Sequence, residues 1–319
     1  LIRKSSNFNT QRIEDIYQGP FDKDKNFFLH YGDLIDGTSL GRLILNIKPD
    51  EIYNLGAQSH VGVSFESPEY TADVNALGTL RILEIIRSAN LKAKCYQAST
   101  SEIFGNSNTS FQDEKTPFHP VSPYGTSKLF SYWIVKNYRE AYNIFATNGI
   151  LFNHESERRG KTFVTRKITI AVSKIMLGLQ SELKLGNLNA KRDWGYAPDY
   201  VEGMWQILQQ SEPDDFVLAT NETKSVKDFV NQCFDYFGEK ISWSGVGVNE
   251  VGKLNSTGKT VIRVNKKYFR PTEVDILKGD YFKAKKIFGW NPKTKFKDLV
   301  KIMIIYDYNR LKKNINAQR

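Results

Sequence analysis

Short apolar segments alternate with segments of helical periodicity along about the first two thirds of the chain. Residues 51–55, 94–99 and 145–152 have the length and composition of buried strands. Residues 70–89, between the first two of these segments, carry apolar side chains at helical spacing. This order predicts an α/β fold, a doubly wound parallel sheet with helices on both of its faces.

Two further segments extend this pattern. Ser122 followed by Pro123 is typical of a helix N-terminus and predicts a helix that ends near residue 142. Beyond residue 153 the pattern loosens and predicts a smaller, mixed α/β region. In that region we expect helices at 163–179, 200–210 and 296–311, a strand at 216–219, and loops with short strands at 238–258.

The chain starts at Leu1 in what reads as the end of a strand at residues 1–6, and residues 26–31 form the next predicted strand. No glycine-rich, phosphate-binding turn precedes them. The first strand of a doubly wound sheet is central, and its turn holds the pyrophosphate of a dinucleotide. We therefore expect an opening strand–turn–helix unit of about 30 residues to be absent from this sequence.

The composition excludes several classes of protein. The 319 residues are 40% hydrophobic and 25% charged, and no apolar run approaches the length of about 18 residues expected of a membrane helix. Cys95 and Cys233 fit neither a metal site nor a disulfide framework, which favours a cytoplasmic location. The net charge of +10 comes from lysines spread along the chain, so it indicates solvated helix faces rather than a nucleic-acid partner.

Tyr124 and Lys128 are four residues apart on the predicted helix and share one face. An ammonium near a phenol favours the phenolate and is expected to lower the tyrosine pKa. Thr100 follows a predicted strand, at the end of the sheet where α/β proteins bind ligands. The Tyr–Lys spacing alone is common on half-buried helices. With Thr100 it predicts a base for an alcohol that loses a hydride.

Glu102 decides which reaction such a site performs. It lies two residues after Thr100, so its side chain faces the same way if the extended run continues. A carboxylate beside a newly formed ketone can remove the neighbouring proton and then protonate a leaving hydroxyl. A simple dehydrogenase or epimerase does not need that group. The alternative is a capping or salt-bridging glutamate at the end of a strand.

Long motifs in this chain resemble those of the GDP-mannose 4,6-dehydratase family, which belongs to the extended short-chain dehydrogenase/reductase superfamily. The resemblance covers nearly the whole chain. Its motifs are R-K-S-S-N-F-N-T-Q-R-I, G-D-L, E-I-Y-N-L-G-A-Q-S-H-V, E-Y-T-A-D-V, Q-A-S-T-S-E-I-F-G, N-G-I-L-F-N-H-E-S, F-V-T-R-K-I, L-G-N-L-N-A-K-R-D-W-G and Y-F-R-P-T-E-V-D.

The resemblance implies that Thr100, Glu102 and Tyr124 are the catalytic set and that Lys128 orients the nicotinamide ribose. It also implies NADP as the cofactor. Arg3 agrees with NADP, because an enzyme that binds a free ribose 2′-hydroxyl carries an acidic residue after its second strand. The other cofactor-binding residues implied are Ser5, Asp33, Leu34, Leu55, Gly56, Ala57, Gln58, Ser59, Tyr70, His154 and Arg159. On its own, His154 would be interpreted as a core histidine.

For the substrate, GDP-mannose, the resemblance implies binding by Asn153, Lys167, Arg192, Arg270 and Glu273. Arginine forks suit a pyrophosphate. The implied reaction is dehydration to GDP-4-keto-6-deoxymannose, for the synthesis of GDP-deoxyhexoses such as GDP-fucose. A GDP-sugar reductase or epimerase on the same scaffold and a non-catalytic NADP-binding protein are the alternatives.

The expected division assigns residues 1–155 and 193–222 to an NADP-binding domain and residues 156–192 and 223–319 to a GDP-sugar domain. The resemblance also implies a homodimer or homotetramer. The chain departs from the family pattern at Val121, usually arginine, at Glu157, usually proline, and at Tyr196 and Pro198, usually histidine and lysine. Because Glu157 adds a negative charge beside Arg158 and Arg159, it brings the cofactor contacts of this loop into question.

Overall fold

A computed structural model describes residues 1–4, 10, 12–17, 26–107, 109–269, 272, 274 and 276–317. Its helices are α1 (Gly37–Ile47), α2 (Val61–Glu66), α3 (Pro68–Ala72), α4 (Gly78–Ser88), α5 (Pro123–Tyr142), α6 (Val164–Met176), α7 (Ala197–Leu208), α8 (Val226–Asp235), α9 (Phe282–Phe288) and α10 (Phe296–Ala317). Its strands are β1 (Glu51–Asn54), β2 (Lys94–Thr100), β3 (Ala146–Leu151), β4 (Asn153–Glu155), β5 (Leu183–Leu185), β6 (Lys191–Arg192), β7 (Trp194–Tyr196), β8 (Phe216–Leu218), β9 (Lys224–Ser225), β10 (Ile241–Ser244), β11 (Val251–Leu254) and β12 (Thr260–Val264).

The main sheet has the strand order β1-β2-β3-β8, and each neighbouring pair is parallel. Successive side chains of a strand point to opposite faces, so Cys95 and Tyr96 of β2 enter different cores. Cys95 packs with Ile82, Ile86 and other residues of α4 and α5. Tyr96 packs with Tyr200 and neighbouring residues of α7. Helices cover both faces, which confirms the doubly wound α/β fold.

The N-terminal segment contributes one parallel pairing, between Ile2 and Tyr31. The Ile2 amide donates to the His30 carbonyl at 2.8 Å, and the Gly32 amide donates to the Ile2 carbonyl at 3.0 Å. The predicted strands at 1–6 and 26–31 are therefore much shorter within the described residues than expected.

A second, mixed sheet lies in the C-terminal part of the chain, in the order β10-β11-β12-β5. The β10–β11 and β11–β12 pairs are antiparallel, whereas β12–β5 is parallel. Helices α6, α8 and α10 share its apolar core through residues such as Phe229, Leu299 and Met303. This arrangement confirms the smaller mixed α/β region.

The predicted helix at 70–89 is divided. Helix α3 passes into a π-helical turn at Asp73–Leu77, and α4 follows. Such turns widen the helix by one residue and often occur at functional sites. By contrast, α5 begins at Pro123 as expected, and the Ser122 hydroxyl accepts from the Gly125 amide at 3.0 Å. Within the described part of the chain, no helix is both long and apolar enough to cross a membrane.

Candidate active site

A cleft of about 880 Å³ opens at the carboxyl ends of β2 and β3, where parallel sheets place their ligand sites. Its volume lies in the range of about 300–1,000 Å³ that is usual for small-molecule sites. Of the residues proposed from the sequence, the cleft is lined by Leu55, Ala57, Ser59, Thr100, Glu102, Tyr124, Lys128, Asn153, His154, Arg159, Lys167 and Arg192.

Helix α5 places Tyr124 and Lys128 in this cleft, one turn apart. Both side chains are buried, and the Lys128 ammonium donates to the Ala98 carbonyl at 2.9 Å. Ala98 lies near the end of β2, so this bond fastens the first turns of α5 to the strand that carries Thr100. The helix and the strand end thus form one rigid unit.

The pKa of the Tyr124 phenol is raised to about 12, chiefly by burial. A hydrogen bond with Thr100 and the positive charge of Arg159 lower it, whereas the Glu102 carboxylate raises it. Burial also lowers the pKa of Lys128 to about 8. The expected lowering of the Tyr124 pKa by Lys128 is therefore not seen in this arrangement, in which burial has the largest effect on that pKa.

Strand β2 ends at Thr100, and a 3-10 turn follows at Ser101–Ile103. The Thr100 hydroxyl caps that turn by accepting from the Glu102 amide at 3.3 Å. The extended run therefore does not continue from Thr100 to Glu102, so the condition that the sequence argument placed on the direction of Glu102 is not met. Both side chains nevertheless line the cleft, together with Tyr124.

Leu34 packs against two glycines, Gly56 in the segment that follows β1 (residues 55–59) and Gly78 at the start of α4. A Cβ at Gly56 would lie 2.7 Å from Leu34 Cδ1, and one at Gly78 would lie 2.9 Å from Leu34 Cβ. Leu34 therefore packs directly on two glycine backbones. Asp33 precedes it and accepts from the Ile35 amide at 3.3 Å.

Asn75, in the π-helical turn, does not line the cleft but supports residues beside it, and the sequence analysis did not identify it. Its Oδ1 accepts from the Gln58 amide at 2.9 Å, and its Nδ2 donates to the Gln58 carbonyl and to Ser127 Oγ, each at 3.1 Å. It thus links the segment after β1 to α5, beside Lys128. The available signal was a polar residue on the buried face of a helix whose other positions there are mostly apolar.

Arg3 and Tyr70 are in contact, because the Arg3 guanidinium donates to the Tyr70 hydroxyl at 2.8 Å. Both side chains are exposed, and they do not line the cleft. Ser5, Arg270 and Glu273 lie outside the described residues.

His154 is half-buried at the surface of the cleft, and desolvation lowers its pKa to about 4. Its Nδ1 lies 2.9 Å from the Phe152 carbonyl oxygen, and its ring stacks on Tyr200 at a centroid distance of 5.0 Å. Arg159 Nε pairs with Glu155 at 3.1 Å, and its guanidinium lies 3.8 Å from the Phe163 ring centroid. His154 is therefore neutral near pH 7, and Arg159 carries the positive charge on this side of the cleft.

On the other side of the cleft, Arg192 is buried and Lys167 lies over the Tyr268 ring, with its ammonium 3.5 Å from the centroid. Burial lowers the pKa of Lys167. Two buried oxygens that belong to cleft residues, Asn153 Oδ1 and Ser99 Oγ, have no hydrogen-bond partner among the described residues. An unpaired buried polar atom is costly, so these two oxygens fit a site that is completed by a polar ligand.

Two of the departures from the family pattern meet in space. The Tyr196 hydroxyl donates to Glu157 Oε2 at 3.5 Å. Arg159 pairs with Glu155, and Arg158 pairs with Asp15 at 3.5 Å. Within the described residues, Glu157 therefore does not form an ion pair with either arginine. The Val121 carbonyl accepts from the Thr272 hydroxyl at 2.6 Å, and Pro198 lies in the first turn of α7.

Comparison with known proteins decides the family. The model of the family "GDP-mannose 4,6 dehydratase" matches residues 1–303. The chain belongs to the GDP-mannose 4,6-dehydratase family. It is 54% identical over 320 residues to the GDP-mannose 4,6 dehydratase of Homo sapiens, with 99% of this chain and 86% of that protein covered. With the Arabidopsis thaliana dehydratase 1 the identity is 54%, with 98% and 83% covered.

Solved structures share the dehydratase fold at lower identity. A dTDP-glucose 4,6-dehydratase of Bacillus anthracis in complex with NAD superposes with a TM-score of 0.76 at 21% identity, over 96% of this chain and 85% of that chain. The RMD protein of Pseudomonas aeruginosa complexed with NADPH gives 0.74 at 20% identity, over 88% of each chain. Within the described residues of this dehydratase-family chain, no cluster of three side chains could hold a metal ion.

Proposed function

We propose that this chain dehydrates GDP-mannose to GDP-4-keto-6-deoxymannose, with NADP as the hydride carrier. The observation that carries the proposal is the position of Glu102 in the same cleft as Thr100, Tyr124 and Lys128. Because Glu102 and Tyr124 line one cleft, a single hexose bound there can meet the carboxylate and the phenol at neighbouring carbons. The family membership supports the same activity.

The roles of the side chains follow from their chemistry. Tyr124, assisted by the Thr100 hydroxyl, takes the proton of the hydroxyl on carbon 4 of the hexose. When bound, NADP supplies a hydride acceptor for carbon 4 and then a hydride donor for carbon 6. Glu102 removes the proton on carbon 5 and protonates the hydroxyl that leaves carbon 6. When the hydride adds to carbon 6, carbon 5 takes up one proton, which balances the proton that Tyr124 removed from the hydroxyl on carbon 4. The hydride taken from the sugar returns to it, so the reaction has no net redox change.

The proposed NADP site uses the segment after β1 and the N-terminal residues. Gly56 and Gly78 let Leu34 pack directly on their backbones, and we propose that Leu34 and Gly56 contact the cofactor. Arg3 and Lys4 are exposed cations that suit a 2′-phosphate. We propose the same role for Ser5. The remaining residues proposed to bind NADP are Asp33, Leu55, Ala57, Gln58, Ser59, Tyr70, Lys128, His154 and Arg159.

The proposed GDP site lies between α6, β6 and the turn at Lys266–Tyr268. Lys167 and Arg192 line the cleft there and suit a pyrophosphate, and the unpaired Asn153 oxygen can accept from the ligand. We propose that Arg270 and Glu273 join them. The parallel-sheet part of the chain would then bind NADP, and the C-terminal mixed part would bind the GDP-sugar.

The test is direct. Incubation with GDP-mannose and NADP should yield a keto sugar that has lost the hydroxyl on carbon 6, without added reductant. The variant Glu102→Gln should lose this product while it still reduces NADP on GDP-mannose, because Tyr124 is intact. A reductase or epimerase would keep most of its rate in that variant. Absence of the keto sugar with the wild-type chain would refute the proposal.

We propose a homo-oligomer in the cytoplasm. Phe130 and Trp133 on α5 are 42% and 52% exposed, large apolar surfaces of the kind that a second copy covers. Both cysteines are buried and unbridged, as suits a reducing compartment. Light scattering should report at least twice the mass of one chain, and a monomer would refute the assembly.

A further inference from the structure

The turn between β4 and α6, residues 156–160, brings Arg159 to the edge of the cleft. The Arg159 amide donates to the Ser156 carbonyl at 3.0 Å, which closes the turn. A second bond inside the turn runs from the Arg158 amide to Ser156 Oγ at 3.1 Å. Both bonds fix the backbone only within the turn. The position of the turn against the rest of the protein depends on groups outside it, among them Arg12, whose Nε donates to the Arg158 carbonyl at 2.9 Å.

Arg166, in the first turn of α6, supplies further donors. Its Nη1 atom donates to the carbonyl of Glu157 and, at 3.1 Å, to that of Arg159. Its Nε and Nη2 atoms donate to the two Asp307 oxygens at 2.7 and 2.9 Å. A single planar guanidinium therefore joins the turn to the C-terminal helix α10.

Asp307 holds this guanidinium in one orientation. It is 0% exposed and Arg166 is 4% exposed, so water does not compete for their hydrogen bonds. Thr169 donates to the Asp307 carboxylate at 2.7 Å, and Arg310 donates to it at 3.3 Å. The bidentate pairing fixes the plane of the Arg166 fork and aims its remaining nitrogen at the turn.

The turn matters to the cleft because of Arg159. The charge of Arg159 lowers the pKa values of both Tyr124 and His154, so it acts on the groups around the proposed nicotinamide site. A substitution that displaces the turn would therefore move the Arg159 charge, although every residue that lines the cleft keeps its identity.

We infer that Asp307 and Arg166, neither of which lines the cleft, are a positioning pair that sets Arg159 for binding of the dinucleotide. The inference rests on the proposed function only in that the cleft takes a nicotinamide dinucleotide phosphate. It assigns neither residue a part in the chemistry. The inference implies that the Kd for NADPH and the Tm respond differently when Arg166 and Asp307 are replaced.

The experiment compares four full-length variants with the wild type by titration with NADPH, followed by its fluorescence, and by thermal unfolding. Asp307→Asn and the conservative Arg166→Lys should each raise the Kd for NADPH about tenfold, a coupling of ordinary size. The double variant Arg166→Met with Asp307→Leu replaces the ion pair by apolar groups, which often restores stability. It should regain most of the lost Tm but keep the weakened Kd, because the carbonyls of the turn have lost their donor.

Asp215→Asn is the matched control. Asp215 forms a buried bidentate pair with Arg139, at 2.8 and 3.0 Å, and does not line the cleft. It should lower the Tm and leave the Kd for NADPH within about twofold, the change expected of a site without coupling. Recovery of both Tm and Kd in the double variant, or an unchanged Kd in Asp307→Asn and Arg166→Lys, would overturn the inference. These binding readouts need no turnover, so a wild type that binds NADPH but leaves GDP-mannose intact would refute only the proposed function.

Discussion

The Lys128 ammonium donates a hydrogen bond to the Ala98 carbonyl at 2.9 Å, so helix α5 is fastened to the strand that ends in Thr100. The bond holds a buried cation against a backbone oxygen. Because Thr100 lies two residues beyond Ala98, the spacing between its hydroxyl and the Tyr124 phenol is set by secondary structure rather than by a flexible loop.

The buried Lys128 makes stability depend on pH. Its pKa is lowered from 10.5 to about 8, so between these values the unfolded chain binds more protons than the folded chain. Stability should therefore rise as the pH increases from about 8 towards 10.5. We expect the Tm of the wild type to rise relative to that of Lys128→Met over this interval. Parallel Tm–pH curves for the two proteins would contradict the assignment.

His154 gives a second pH dependence of stability, with the same sign as that of Lys128 but at lower pH. Its pKa is lowered from 6.5 to about 4, so its contribution to stability is present above 6.5 and is lost as the pH falls towards 4. The variant His154→Asn should show a smaller fall in Tm over this range. Thermal unfolding at a series of pH values measures the difference. An equal fall in the Tm of both proteins would contradict the lowered pKa of His154.

Gly78 should not tolerate a side chain, although it lies in a helix. A Cβ there would lie 2.9 Å from Leu34 Cβ, and overpacking of this kind costs about 1–3 kcal/mol. We expect Gly78→Ala to lower the free energy of unfolding and to weaken NADPH binding. Gly41→Ala, in α1, is the control, since its Cβ would make ordinary contacts at 3.9 Å. It should gain about 0.5–1 kcal/mol, and a similar gain at Gly78 would contradict the close packing.

Asn75 should be needed for cofactor binding more than for folding. Asn75→Ala leaves the Gln58 amide and carbonyl without their side-chain partner, at a cost of about 1–3 kcal/mol. The Kd for NADPH should rise, because the segment after β1 loses its link to α5. Asn231→Ala removes a hydrogen bond from Trp243 Nε1, at 2.9 Å, outside the cleft. It should leave the Kd unchanged, and an equal effect of both variants would refute the role of Asn75.

Local sequence patterns predict those helices and strands whose ends and periodicity depend on neighbouring residues alone. Helix α5 starts where Ser122 and Pro123 predict, because a cap and a fixed φ are local properties. The parallel sheet follows from short apolar runs that are separated by helices. The π-helical turn at Asp73–Leu77 was not predictable in the same way, since it depends on Asn75 reaching Gln58 and Ser127 at the same time.

The sequence predicts which residues belong to the candidate site, but it does not predict the pKa values of their side chains. Residue spacing brings Tyr124 and Lys128 together on α5, yet the pKa of Tyr124 rises because burial is a property of the whole fold. The contact between Arg166 and Asp307 joins residues 141 positions apart, and no pattern in the sequence predicts it. Long-range polar contacts of this kind depend on how helices pack.

The most direct test follows a deuterium label from carbon 4 of GDP-mannose. The account predicts that the label appears on carbon 6 of the keto product, because the same NADP accepts and returns the hydride while Glu102 eliminates water. Label that is lost to the medium, or a 4-keto product that keeps its hydroxyl on carbon 6, would contradict the account.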